Sequence, residues 1–216
     1  MEFSVKVLMT ICTLSMVGAL AGCAGPSADV RATGDLSATD LATATYRLAR
    51  TPAQAEANEP LPYEALLRAG LAQRGFKEGT PEAARYVVSA AWASRPSDVS
   101  VETGGSGNGG NCVGGCVPSE GPSFPWFGKR YTHTLTLRFL ALPDGREAYK
   151  VSAEKRDRNA DAQQALPYLV AGALARLPYA GAPQWRVKLK EADHAAAGEA
   201  GAPAMPDVIS IKPLAQ

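Results

Sequence analysis

The chain has 216 residues, of which 46% are hydrophobic and 20% are charged. These values are typical of a globular protein and exclude a chain that is disordered throughout. Lysine and arginine number 22 against 21 aspartate and glutamate residues, so no strong net charge recruits nucleic acid or an anionic membrane over a distance. Any partner must be recognised by shape or through a local patch.

Residues 1–22 have the pattern of an export signal. Lys6 precedes an uncharged stretch over 7–21, which is shorter than the roughly 20 apolar residues that a membrane-spanning helix needs. The stretch ends in Leu20-Ala21-Gly22-Cys23, which resembles a lipobox. The resemblance implies cleavage before Cys23 and attachment of diacylglycerol to its sulfur. Several acyl chains on one residue give stable membrane anchoring.

The residue after the cysteine bears on which membrane holds the protein. Ala24 stands where an aspartate would mark inner-membrane retention in enterobacteria-like systems. We therefore expect a lipid-anchored protein at the periplasmic face of the outer membrane rather than the inner membrane. The n-region of this signal is weak, because Glu2 offsets the charge of Lys6. The alternative is that Cys23 follows an ordinary secretory signal by chance.

The mature chain divides into three predicted regions. Residues 23–42 combine the lipidated cysteine with a flexible tether, because they are small and polar and have no apolar period. Residues 43–190 form a single folded domain. Residues 191–216 form a flexible tail rich in alanine and glycine, in which only the run over 208–211 has the pattern of an edge strand.

The hydrophobic period within the domain changes in an orderly way between alternation, which predicts strands, and spacings of three and four, which predict helices. The first elements expected in chain order are a strand over 43–50, a helix after Pro62 that stops near Gly75, and a strand over 84–93. A hairpin of strands over 130–141 and 146–154 follows and turns at Pro143-Asp144-Gly145. The last elements are a helix over 160–177, in which Pro167 marks a helix start or a kink, and a strand over 184–190. This order predicts an α+β two-layer sandwich, with an antiparallel or mixed sheet of about five strands and two helices packed on one face.

A series of short motifs follows the same order along residues 43–190. They are Tyr46 and Leu48, Pro62-Tyr63, Gly75-Phe76, Tyr86, Tyr131-x-His133-x-Leu135-x-Leu137, Gly145 to Tyr149-x-Val151-Ser152, and Leu166-Pro167-Tyr168-Leu169. In this order and spacing the motifs resemble the bacterial lipoprotein family catalogued as domain of unknown function 4136. The family has no established activity, so the resemblance implies an envelope location and an α/β fold but no catalytic residue. The glycine-rich insert departs from the family's pattern.

The inventory of catalytic side chains is small. His133 and His194 are the only histidines, and His194 lies in the predicted tail, so a triad of serine, histidine and acid would have to use His133. The inward register of His133, between Tyr131 and Leu135, favours a packed histidine over a general base. No paired carboxylates, phosphate loop or helical pair of histidines has the required spacing. We therefore expect no enzyme, no metal and no cofactor besides the covalent lipid.

A long glycine-rich insert over 95–129 contains a cysteine pair, Cys112 and Cys116. In an oxidising compartment the pair favours a disulfide, which stiffens the loop without holding the domain together. The alternative is a zinc site that adds His133 to the two thiolates. The same three residues define our alternative function, namely a metal-binding or thiol-redox protein or a hydrolase.

Two surfaces are candidates for binding a partner. The end of the insert gathers Phe124, Trp126 and Phe127, which either fold back on the sheet edge or remain available to a partner or to lipid. The outward sheet face combines threonines with a set of cations, namely Arg47, Arg138, Lys150, Arg186 and Lys188. This face either docks an envelope protein or glycolipid or is an ordinary solvated surface. We predict a non-enzymatic envelope lipoprotein that supports envelope assembly or maintenance and binds no nucleic acid.

Overall fold

A computed structural model describes residues 25–34, 36, 44–57, 59–97, 129–190 and 204–214. The predicted signal peptide over 1–22 and several predicted site residues lie outside the described residues. These site residues are Cys23, Cys112, Cys116, Phe124, Trp126 and Phe127.

The described residues form eight strands and three helices. In chain order these are β1 (Ser27–Gly34), β2 (Thr45–Leu48), α1 (Pro52–Ala57), α2 (Glu64–Gln73), β3 (Lys77–Glu78), β4 (Tyr86–Ser97), β5 (Arg130–Ala141), β6 (Arg146–Asp157), α3 (Ala162–Leu174), β7 (Gln184–Leu189) and β8 (Val208–Pro213). The strands make one mixed sheet in the order β3-β2-β4-β5-β6-β1-β7-β8. The parallel pairs among the described strands are β2 with β3 and β2 with β4. The fold is therefore α+β, as predicted, but the expected sheet of about five strands is too small.

Two further strands lie outside the predicted domain over 43–190. β1 occupies 8 residues of the predicted tether over 23–42, and β8 lies in the predicted tail over 191–216. The tether prediction is therefore wrong for β1, whereas the edge-strand pattern over 208–211 is confirmed by β8. β1 has mostly small or polar side chains, and only Ala28 and Val30 are fully buried. Its place is fixed instead by backbone pairing with β6 on one side and β7 on the other.

Alternate side chains of the strands point toward α2 and α3 and form the core. The approach of α3 to the sheet is close, because a Cβ atom at Gly172 would lie 2.8 Å from the Cβ of Ala28 on β1. Pro167 lies inside α3, which is a single helix capped at its start by the Asp161 side chain. The largest fully buried apolar side chains of the core are Leu36, Tyr46, Leu67, Leu71, Leu135, Leu137, Phe139, Tyr149, Leu169 and Leu189.

The predicted turn and helix end are confirmed by the backbone. Gly145 joins β5 to β6 with a φ of 69°, and Gly75 follows α2 with a φ of 87°. Both values lie in the left-handed region that glycine adopts without steric cost. These two glycines therefore set the ends of the elements that the sequence pattern predicts.

A buried carboxylate joins the end of β2 to the start of α2. Glu64 is 1% exposed and accepts hydrogen bonds from Nε and Nη2 of Arg50 at 2.7 and 2.5 Å. Arg68, one turn along α2, donates to Glu64 at 3.3 Å and pairs with Glu78 of β3 at 3.0 Å. The hydrogen bonds from Arg50 lower the pKa of Glu64, against the effect of burial. This network fixes α2 against the β2 side of the sheet.

Candidate functional site

The face of the sheet opposite α2 and α3 carries the predicted basic residues. Arg138 lies opposite Lys150 on β6. On β7, Arg186 lies opposite Asp29 and Lys188 opposite Ser27 of β1. Arg47 follows the same alternation, since its partner Val87 pairs in turn with Leu140. The structure therefore places Arg47, Arg138, Lys150, Arg186 and Lys188 on one face, which we call the open face.

The register brings further cations to the open face that sequence reasoning missed. Arg31 was missed because β1 was taken for a tether, although the alternation of Ala28, Val30 and Ala32 with polar residues is a strand signal. The added cations are Arg31, Lys77, Arg95, Arg130, Arg156 and Lys212. The carboxylates that the described strands place on this face are Asp29, Glu147 and Glu154.

Each of these carboxylates already has an arginine partner. Arg186 donates to both carboxylate oxygens of Asp29 at 2.7 and 3.0 Å. Arg138 pairs with Glu147 at 2.5 Å, and Arg156 pairs with Glu154 at 2.6 Å.

Within the described part of the chain, Arg31, Lys150 and Lys188 have no carboxylate partner. The chain as a whole carries a formal charge of only +1, so positive charge is concentrated on the open face while most carboxylates lie elsewhere.

One row of the open face contains three cations and no carboxylate, whereas the row of Arg138 and Lys150 contains two. Arg95 lies opposite Thr132, which lies opposite Arg156. The next position on β1 is Ser27, which lies opposite Lys188 on β7. We call the three cations Arg95, Arg156 and Lys188 the Ser27 row. The row crosses four strand spacings, or about 19 Å.

The Ser27 row lies at the end of the sheet where the described chain begins. The carbonyl of Pro26 accepts a hydrogen bond from the backbone N–H of Leu189 at 2.9 Å, so residues just before β1 are already held beside β7. Cys23 precedes Pro26 by three residues, and three residues span at most about 11 Å. The predicted lipidation site is therefore within about a nanometre of this end of the sheet.

His133 lies on the helix side of the sheet, is fully buried, and joins three segments. Its Nδ1 is hydrogen-bonded to the hydroxyl of Ser94, directly opposite on β4. Its Nε2 lies 2.9 Å from the carbonyl oxygen of Asn159 and 3.2 Å from a carboxylate oxygen of Asp157. Lys155 pairs with the other oxygen of Asp157.

The partners of the ring define its tautomer. The Asn159 carbonyl can only accept, so Nε2 carries a hydrogen and, in the neutral ring, Nδ1 accepts from Ser94. Burial raises the pKa of Asp157, but the Lys155 ammonium, the Asn159 backbone N–H and the His133 ring together lower it. Asp157 therefore stays ionised beside the ring. The set has the connectivity of a serine, a base and an orienting acid, and it also satisfies a packed histidine.

Among the described residues, the other features of the helix side do not form a second reactive cluster. A cleft of about 240 Å³ lies between α2, α3 and the segment before β8, with Arg74 and Asp207 among its lining residues. Arg74 already donates to the carbonyl oxygen of Ala175 at 2.6 Å. Over the described ranges, no group of three or more histidine, cysteine or acidic residues is arranged to hold a metal ion. Across the same ranges, no helix has the length and apolar character needed to cross a membrane.

Comparisons with known proteins give weak likenesses. No family model matches the chain, and no curated protein matches it. A PDZ domain protein from Parabacteroides distasonis is similar over 77% of this chain, with 11% identity and a TM-score of 0.41, and the chain covers 40% of that protein. The PelC dodecamer from Paraburkholderia phytofirmans is similar over 68% of this chain and 96% of its own, with 14% identity and a TM-score of 0.31. These likenesses are too weak to show a family or a function.

Proposed function

We propose that this protein is a lipid-anchored module at the periplasmic face of the bacterial outer membrane, which supports envelope assembly or maintenance by binding rather than by catalysis. The observation that carries the proposal is the concentration of cations on the open face of a nearly neutral chain. The lipobox-like segment ending in Cys23 and the resemblance to the uncharacterised lipoprotein family support the location.

The chemistry of the open face favours an anionic partner. The face lies opposite α2 and α3 and combines arginines and lysines with threonine and serine hydroxyls, which donate hydrogen bonds to phosphate or carboxylate oxygens. At the centre of the face, the hydroxyl oxygens of Thr136 and Ser152 are hydrogen-bonded to each other at 3.0 Å. A flat, polar sheet suits an extended acidic segment or the phosphates of a glycolipid better than a small apolar ligand, which needs a concave site.

Two measurements test this function. Palmitate labelling and mass spectrometry of the mature protein should find acyl chains on the N-terminal Cys23, with Cys23→Ser as the unlabelled control. Binding of lipopolysaccharide micelles should weaken at least tenfold when Arg138 and Lys150 are both changed to Gln. An unmodified N-terminus would contradict the proposed anchor. Unchanged micelle binding would contradict the open face as the docking site.

The alternative of a hydrolase has one specific observation in its favour, the contact of Ser94 with His133 and of His133 with Asp157. In such an enzyme, Ser94 Oγ would attack an ester carbonyl carbon while its proton passes to Nδ1 of His133. The proton would then leave with the alkoxide, and water would release the acyl group from Ser94.

A fluorophosphonate probe separates the two functions. The hydrolase predicts labelling that is lost in Ser94→Ala and kept in Ser97→Ala on the same strand. The binding module predicts no labelling of Ser94 in the native protein.

A further inference from the structure

We propose that the Ser27 row docks on the anionic phospholipid headgroups of the leaflet that holds the lipid anchor, so that the sheet stands with this end on the membrane. This inference rests on the proposed anchoring at Cys23 and names the partner of one end of the open face. It leaves the other end, with Arg31, Arg138 and Lys150, directed away from the bilayer and free for a periplasmic partner. We call these three residues the distal cations.

The first support is distance. Leu189 holds Pro26 at the Ser27 end of the sheet, and at most about 11 Å of chain separates Pro26 from Cys23. Screening at physiological ionic strength acts over about 8 Å. A lipid on Cys23 therefore holds this end of the sheet at a distance from the headgroups comparable with the screening length, whereas Arg31 lies two rows further along the strands and Arg138 and Lys150 lie three rows further.

The second support is charge. Arg95, Arg156 and Lys188 are exposed and are separated by threonine and serine rather than by carboxylates. Glu154, in the next row, pairs with Arg156, so it offsets one of the three cations. Arg130 extends the positive charge one further row toward the same end, opposite Ser97. Cations in this arrangement match the negative surface that anionic phospholipids present.

The third support is shape. The row is about 19 Å wide, which is enough for its cations to meet several neighbouring headgroups at once. Lysine and arginine side chains reach outward from a sheet and place their charged ends in the interfacial region while their stems stay against the protein. An acidic protein would need no such proximity to the anchor, and it therefore fits the distal cations better.

The test uses the mature chain from residue 23 onward carrying Cys23→Ser, so that headgroup contact is measured without the acyl chains. Cosedimentation compares vesicles of phosphatidylcholine with vesicles that also contain phosphatidylglycerol. We expect binding only to the latter, weakening as salt is raised. Neutralising the Ser27 row (Arg95→Gln, Arg156→Gln and Lys188→Gln) should reduce binding on the order of 100-fold, or about fivefold for each charge.

The matched control neutralises the distal cations (Arg31→Gln, Arg138→Gln and Lys150→Gln), which also remove three charges and include one ion-paired arginine. This variant should lose less than fivefold, and both variants should keep the circular dichroism and melting temperature of the parent. Equal losses in the two variants, or no preference for phosphatidylglycerol, would overturn the inference. If palmitate labels Cys23 while vesicles show no preference, the anchor stands and the docking fails. If palmitate does not label Cys23 while the vesicles still show the preference, the docking stands and the anchor fails.

Discussion

Ala28 of β1 lies directly beneath Gly172 of α3, where a Cβ atom on the glycine would approach the alanine Cβ to 2.8 Å. This contact sets how closely the helix packs on the sheet. Gly172→Ala should therefore destabilise the protein by about 1–3 kcal/mol through overpacking, although alanine favours a helix by up to about 1 kcal/mol over glycine. Urea denaturation of the single variant measures the effect.

The Ala28→Gly background provides the control. Removing the alanine methyl group opens the space that the new Cβ needs, so Gly172→Ala should become neutral or stabilising there. Additive effects of the two substitutions would show that the contact does not limit the packing.

The Glu64 carboxylate should make stability depend on pH. Because its pKa is lowered in the folded state, its contribution is present above the ordinary carboxyl pKa and is lost as the pH falls through the folded value. Glu64→Gln should lower the free energy of unfolding by about 2 kcal/mol at neutral pH, because Arg50 loses its buried anionic partner. The difference in stability between the variant and the parent should shrink in acid.

Glu78→Gln is the matched control for Glu64. Glu78 also pairs with Arg68, but its side chain is 45% exposed, so the substitution should change stability only slightly. A Glu64→Gln variant as stable as Glu78→Gln at neutral pH would contradict the structural role of the buried pair.

His133 should be the tautomer that carries its hydrogen on Nε2. The carbonyl oxygen of Asn159 at 2.9 Å requires a donor there, which leaves Nδ1 to accept from Ser94. Long-range proton and nitrogen correlation spectra of the imidazole ring distinguish the two nitrogens. A neutral ring with its hydrogen on Nδ1 would be inconsistent with this arrangement.

The amides of β1 should exchange as slowly as those of β5 and β6. β1 is hydrogen-bonded to β6 and β7, so its opening requires disruption of the whole sheet. Hydrogen exchange measured by mass spectrometry on the peptide that contains residues 27–34 checks this. Amide exchange as fast as in an unfolded peptide would contradict β1 and support the prediction of a flexible tether.

Strands with large alternating side chains were predictable. In β6 and β7, residues such as Tyr149, Val151, Trp185 and Val187 alternate with charged residues, and the periodicity alone assigns strand and face. β1 shows the same alternation only weakly, because its inward side chains include two alanines, and its stability comes from pairing with strands more than a hundred residues away in sequence. Local composition contains no information on such pairing.

The candidate sites also differ in whether they could be predicted from alternation within one strand or depend on pairing between strands. The shared face of Arg138, Lys150 and Arg186 follows from alternation within each strand. The union of Arg95, Arg156 and Lys188 in one row depends on the registers among β4, β5, β6, β1 and β7, and no single strand encodes them. The contact of Ser94 with His133 likewise joins residues 39 apart, so the inward register of His133 was accessible from the sequence but its partners were not.

The central position of β1 also determines how the molecule responds to mechanical load. A lipid at Cys23 would transmit any pull from the membrane along β1, parallel to the strand axis. The ladders to β6 and β7 are perpendicular to that axis, so their hydrogen bonds would be loaded in shear and together, not one after another as in the peeling of an edge strand. Extraction by a force on such an anchor would therefore have to break the hydrogen bonds of both ladders at once.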